Sequence, residues 1–271
     1  MSRAFLSREL DTVATFWRIF RRDGVALGFV THDRDLHFGG LLHRAAPGIV
    51  PHALRRTAGL ADDEAEVRGA LTHDGIAAAD LAAGRFDGAR VEIGAVCWES
   101  LETAVLYGGT IGQVSERAGT FAAELRSAKA ALERDFVPRT GPTCRARFCG
   151  PGCGLPAARF THETVLEAID AEAGTARFAA PDPALMPGGQ VRWIDGPLCG
   201  LAMRVLAASD GALVLDRALD PAPAPGTRVL LREGCDGRLA TCAARFGNAA
   251  NFRGEPFLPG LDLLARYPAA P

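Results

Sequence analysis

Seven cysteines carry most of the chemistry this chain offers, and five of them fall in two short loops. The first loop reads Cys144-Arg-Ala-Arg-Phe-Cys149-Gly-Pro-Gly-Cys153; the second reads Cys235-Asp-Gly-Arg-Leu-Ala-Thr-Cys242. Neither loop has apolar periodicity, and about eighty residues of strand-like sequence separate them. Soft sulfur donors drawn from two loops, with no nearby His partner, suit a metal ion or an iron–sulfur cluster. The spacings are C-x4-C-x3-C and C-x6-C. Structural zinc prefers C-x2-4-C knuckles at both ends, and only part of the first loop supplies one. Iron–sulfur clusters accept thiolates from more irregular loops, because their corners lie further apart. Spacing alone therefore ranks a cluster first, zinc second and unligated thiols third. It leaves five candidates for four corners.

Around these loops, Arg145, Arg147 and Arg238 either offset a negative thiolate set or simply face water. Gly150, Gly152 and Gly154 either bring backbone amides towards sulfur or make ordinary turns. Cys97 beside Trp98, and Cys199 in an apolar run, read as small buried hydrophobes rather than nucleophiles. Other catalytic signatures are missing. The chain has no G-x-x-x-x-G-K-[ST], no G-x-G-x-x-G after a strand and no G-x-S-x-G elbow. His162-Glu163 lacks the P-C-x-x-C of a zinc deaminase. His32, Asp33, Asp35 and His37 form either a small acid–base site or a polar turn. Turn chemistry is the stronger reading, since Asp side chains there bond to backbone amides.

Composition sets the frame for these residues. The chain has 271 residues, 48% of them hydrophobic, enough for one large or two ordinary cores. A formal charge of −2 gives no overall basic signature for nucleic acid. No apolar run reaches the roughly 18 residues of a membrane span. The first residues lack the apolar core of a signal peptide, so the expectation is synthesis in the cytoplasm. Thiols stay reduced there, which favours metal ligands over disulfides.

The elements that must position the cysteines are mostly strands. Phe16–Arg22 alternates, Asp23-Gly24 turns, and Val25–Thr31 returns. Leu36–Phe38 and Leu41-Leu42 make a second hairpin around Gly39-Gly40. Arg90–Trp98, Thr103–Tyr107, Thr110–Val114 and Thr120–Leu125 read as strands, with Gly108-Gly109 as a turn. Ser2–Ala14, Asp74–Gly84 (capped) and Arg126–Asp135 read as helices. Pro138–Pro142 marks a boundary. Strands over 160–178, 191–194, 198–205, 212–215 and 228–231 form a second β unit.

Beyond spacing, the chain resembles the hub, or tail-tip, proteins of long-tailed phages and gene transfer agents over nearly its whole length. In the N-terminal half the resemblance rests on Trp17-Arg18, Asp23-Gly24, Gly28-Phe29, Thr31-His32-Asp33-Arg34-Asp35-Leu36, Gly59-Leu60, Gly84-Arg85-Phe86-Asp87-Gly88-Ala89 and Gly109-Thr110-Ile111-Gly112. In the C-terminal half it rests on the cysteines and on Arg245-Phe246-Gly247-Asn248 continuing to Asn251-Phe252-Arg253-Gly254. That half is also similar to tail tip protein L of phage lambda, whose cysteines bind an iron–sulfur cluster. The resemblance implies a [4Fe-4S] cluster on Cys144, Cys153, Cys235 and Cys242, with Cys149 spare or an alternative ligand and zinc as the other occupant.

It further implies a mainly β protein with a few short helices. Residues 1–138 would form a tube-like β-barrel, 139–155 the first cysteine loop, 156–232 a second barrel or sandwich domain, and 233–271 the second cysteine loop and a docking tail. The implied function is a structural hub of a tail baseplate and not an enzyme. Its implied state is a homotrimer between a distal tail protein ring and a large central fibre protein, beside a tail-associated peptidase. DNA would pass through its lumen only as cargo, with no stable membrane association. Such a particle assembles in the bacterial cytoplasm and is released outside the cell; the Arg- and Ala-rich composition leans towards a gene transfer agent. The contrasting reading is an iron–sulfur redox or nucleic-acid-processing enzyme, which needs a pocket of perturbed titratable groups.

Overall fold

The computed structural model describes residues 4–7, 12–45, 49–51, 64–70, 76–117, 120–131 and 137–258. The chain divides into two units, Met1–Asp135 and Phe136–Pro271. Among the described residues, no helix is long and apolar enough to cross a membrane.

The first unit is one mixed sheet of nine strands. They are β1 (Val13–Phe20), β2 (Ala26–Val30), β3 (Leu36–Phe38), β4 (Leu41–Ala45), β5 (Ile49–Pro51), β6 (Glu64–Ala70), β7 (Arg90–Cys97), β8 (Thr103–Arg117) and β9 (Thr120–Ser127). Their order across the sheet is β3-β4-β2-β1-β7-β8-β9-β6-β5. Successive side chains leave a strand on opposite faces, and β1 buries both. Trp17 packs with Ile19, Phe29, Phe86 and Ile93 on one side. Phe16 packs with Val30, Phe38 and Val96 on the other. Each large apolar side chain so buried contributes about 2 kcal/mol.

A tube-like barrel was the expectation for residues 1–138. Among the described residues the strands form an open sheet instead, with β3 and β5 at its two ends. Alternation marks which side of a strand is buried, whereas closure depends on tilt and stagger, which alternation does not encode. Gly108-Gly109 makes no turn either, because β8 runs straight through it. A Cβ at Gly109 would lie 2.3 Å from Arg126 O, so glycine there serves strand packing. The expected helix over Asp74–Gly84 is only α1 (Ala78–Ala82), with Ala77 as an N-cap that lends no side chain; residues 74 and 75 lie outside the described residues. Of Ser2–Ala14, the described part is a 3-10 turn at Ala4–Ser7 and the start of β1. Arg126 and Ser127 close β9, a 3-10 turn covers Ala128–Ala131, and the remainder of that expected helix lies outside the described residues.

The turn reading of His32–His37 holds. Ala45 N donates to Asp35 Oδ1 at 2.8 Å, and Arg34 N donates to His32 Nδ1 at 3.1 Å. Asp23-Gly24 and Gly84–Ala89 also find a structural role. Arg21 pairs with Asp23 and, at 2.8 Å, with Asp80; Arg85 reaches the same two carboxylates at 3.1 and 3.0 Å. Burial pushes the Asp23 carboxyl up, yet hydrogen bonds from Arg21, Val25 N and Arg85 together hold it below its ordinary value. This network pins the β1–β2 turn to α1, and Phe86 follows Arg85 into the core.

The second unit is a closed barrel in the cyclic order β10-β11-β14-β13-β12-β15. The strands are β10 (Thr161–Asp170), β11 (Thr175–Phe178), β12 (Gln190–Trp193), β13 (Ala202–Ser209), β14 (Ala212–Leu215) and β15 (Arg228–Arg232). All neighbours are antiparallel, with register shifts at Leu166/Ala168 and Val205/Ala207. Such bulges bend strands enough to close a small ring. Alternating residues, among them Leu166, Trp193, Met203, Leu213 and Leu231, fill the interior as a solid core. After β15 comes one short helix, α2 (Leu239–Ala244).

Candidate metal centre

The barrel's closure decides where the two cysteine loops go. β10 and β15 are antiparallel neighbours, with Thr161 opposite Arg232. The chain therefore enters β10 and leaves β15 at the same end of the barrel. The first loop arrives through a 3-10 turn at Ala157–Phe160, and the second departs directly after Arg232. Glu233 N donates to Phe160 O at 3.0 Å, and Gly234 N donates to Leu185 O at 2.9 Å, which steers the departing strand. Gly234 is pressed against Pro187; a Cβ there would lie 1.7 Å from Pro187 O. The loops then bond to each other, Cys144 N donating to Gly237 O at 2.8 Å.

Cys144, Cys153, Cys235 and Cys242 line one cavity of about 300 Å³. Cys149 does not line it, although it is half-buried nearby in a left-handed conformation, φ 56°. Three of the four lining sulfurs have an N–H donor. Arg253 N donates to Cys144 Sγ at 3.3 Å. Asn248 Nδ2 donates to Cys153 O at 2.8 Å and approaches its Sγ at 3.6 Å. Gly237 N donates to Cys235. Burial, then the charge of Asp236 and after it those of Cys144 and Cys153, pushes the Cys235 thiol up despite that donor. Burial, then the charges of Cys235, Cys144 and Cys153, raises Cys242. Two of the four cysteines are buried and two half-buried, and as thiolates facing one space they would repel one another without a cation among them.

Four cysteine sulfurs lining one cavity are a donor set of the type that a soft metal ion or an iron–sulfur cluster takes. Among the described residues, no group of three or more His, Cys, Asp and Glu is already arranged to hold a metal ion.

The surroundings fix these loops. Phe148, Phe160 and Phe246 form a three-ring cluster with centroids 4.9 to 5.5 Å apart, and Phe148 and Phe246 form part of the cavity wall. Arg145 grips Glu255 through both oxygens at 2.5 and 2.7 Å. Gly141 N donates to the same carboxylate at 2.9 Å. These bonds, led by Arg145, hold Glu255 down to about 2. Arg245 pairs with Glu233 at 2.5 Å, and His162 Nε2 lies 2.8 Å from Glu233 Oε1. Asp236 accepts from Arg238 N at 2.9 Å and from Thr241 Oγ1 at 2.8 Å, which sets the start of α2 and so presents Cys242.

The remaining cysteines separate. Cys97 is buried in the first unit, as expected, where hydrogen bonds led by that from Ser100 lower its thiol to about 7. Cys199 is not buried; it sits exposed in a turn and donates to Ile194 O at 2.9 Å. The expected strand Leu198–Val205 starts only at Ala202, so Leu198 takes the buried place instead. The roles of Asn248 and of the Arg253 amide were not visible in the sequence, because neither is a ligand type. Their one trace was the specificity of Arg245–Asn248 and Asn251–Gly254 as motifs.

Comparison with known proteins agrees with this architecture. Residues 2–156 match a family described as baseplate hub protein, N-terminal attachment domain. Residues 185–262 match a family described as phage conserved hypothetical protein BR0599. A chain in the solved structure titled "Virion of native gene transfer agent (GTA) particle" is 34% identical, with a TM-score of 0.85 over 98% of this chain and 95% of that one. No curated protein matches.

Proposed function

This chain belongs to the baseplate hub protein family, and from that premise we propose that it is a cluster-stapled hub of a tail baseplate. Its coarse role is that of a structural part of a phage or gene transfer agent particle. In the finer reading, Cys144, Cys153, Cys235 and Cys242 hold a [4Fe-4S] cluster at one end of the second barrel. Three of these chains form a ring that joins a distal tail protein to a central fibre protein, and DNA leaves through the lumen.

The observation that supports the cluster reading is the shared cavity of four cysteines, with N–H donors on three sulfurs. Hydrogen bonds to the sulfurs and partial burial are the usual protein controls on such a cluster. When bound, the cluster would supply four bonds between the two loops, beside the Phe148–Phe246 ring contact. Exposed Phe257 and Leu258 follow the Arg145–Glu255 grip and suit a docking tail.

The test is iron, sulfide and zinc analysis of anaerobically purified protein, together with its mass in solution. The expected result is about four iron and four sulfide per chain, in a trimer. Stoichiometric zinc without sulfide would overturn the cluster; a stable monomer at assembly concentrations would overturn the ring.

A further inference from the structure

The first unit carries a second cavity, of about 790 Å³, on the face of strands β7, β8 and β9. Its floor is a register row: Arg90 lies opposite Thr110, and Thr110 opposite Arg126. Arg90 and Arg126 thus stand two strand spacings apart, about 10 Å, on either side of a threonine.

Two of the three cavity arginines, Arg90 and Arg126, have a partner that holds them. Arg90 stacks on Phe20 at 4.1 Å. The Arg22 guanidinium lies over Gly88, where a Cβ would come within 2.5 Å of it. Arg126 Nε lies over Gly112, at 3.1 Å from such a Cβ. Gly108 has open space where its side chain would be, and its φ lies outside the left-handed range, so the fold itself does not call for glycine there. Glu92 offsets Arg90 at 2.5 Å, and Glu124 stands 3.5 Å from Arg126. Glu64 is the next register position beyond Arg126. Arg22 is exposed and has no acidic partner among the described residues.

We propose that this groove seats an extended acidic peptide segment of a neighbouring tail protein, its carboxylates on Arg22, Arg90 and Arg126. The inference rests on the hub reading and names the chemistry of one partner contact. Pre-placed guanidinium groups lose little freedom on binding carboxylates. Val105 lines the same groove and is 43% exposed. A peptide with both acidic and apolar side chains satisfies all of these. A nucleic acid strand matches less well, because the lining holds Glu92 and no aromatic platform for a base.

The test uses particle-producing cells that express the full chain with Arg22→Glu and Arg126→Glu, and separately the wild-type chain with a photo-crosslinking residue at Thr110. The double variant should melt within about 3 °C of wild type, while its incorporation into particles falls at least about tenfold. The Thr110 cross-link should map to an acidic, apolar segment of another tail protein. Normal incorporation of the variant overturns the proposal, as does a cross-link to DNA or to a second copy of this chain. If the double variant misfolds, Arg22→Glu alone, at an exposed position, gives the same reading. Absence of the wild-type chain from particles would instead refute the hub assignment beneath it, and that failure is read separately.

Discussion

Replacing Cys242 with Ser tests the clamp most directly, because the effect should be confined to one end of one unit. Serine is a poor ligand for a soft metal, so the second loop loses a corner of its attachment. The proposed clamp would join Cys153 to Cys235 across a step of 82 residues. In the chain-entropy account, a cross-link of that length is worth about 4.5 kcal/mol, or about three orders of magnitude in the opening equilibrium. The barrel core contains no cysteine, so its packing does not depend on the clamp. Hydrogen exchange should therefore show residues 141–155 and 235–255 losing up to about a thousandfold protection. Amides of β10 to β15 facing the core should keep theirs within about tenfold. Equal loss in barrel and loops would refute the reasoning, since it would make the clamp part of the barrel's own stability. Unchanged loops would refute it from the other side.

Other perturbations have equally definite outcomes. His43 is buried, accepts from Arg18 Nε at 3.0 Å, donates from Nδ1 to Leu41 O at 3.0 Å, and stacks on Phe38 at 3.7 Å. Burial first, then the charge of Arg18, lowers its pKa from 6.5 to about 4. A lowered folded pKa means stability that is complete above pH 6.5 and lost as the pH falls towards 4. The loss amounts to about 3 kcal/mol. Denaturant titrations of His43→Gln should lack that slope. Gly234→Ala forces a Cβ against Pro187 O and should cost several kcal/mol, about 3 or more, whereas Gly174→Ala meets open space at φ 64° and should cost only about 1 to 2 kcal/mol; paired thermal melts compare them. Asn248→Ala deprives the Cys153 carbonyl of its side-chain donor and should cost about 1 to 3 kcal/mol. If a cluster is bound there, the same change should also shift its reduction potential, which voltammetry of Asn248→Ala against wild type would detect. The Glu255 carboxyl, gripped by Arg145, should titrate near 2 when followed by carboxyl chemical shift, and near its ordinary value in Arg145→Ala.

What the residues determine alone is local. Alternation in β1, β11, β12 and β14, the Asp23-Gly24 turn and the two cysteine loops all follow from side-chain period and turn chemistry. These depend only on neighbours in the chain. Three other features depend on partners distant in sequence. Gly108-Gly109 looks like a turn until Arg126 O is found against Gly109. Cys199 looks buried until the barrel gives that place to Leu198. Whether strands 1–135 close into a ring is a matter of tilt and stagger over the whole sheet.

The candidate metal centre shows the division most clearly. Residue type and spacing announce soft ligands in two loops, but say nothing of their meeting. They meet because β10 and β15 close the barrel side by side, antiparallel, so that one strand begins where the other ends. Asn248 and the Arg253 amide become part of the site only then, since a hydrogen bond to sulfur needs the sulfur already in position.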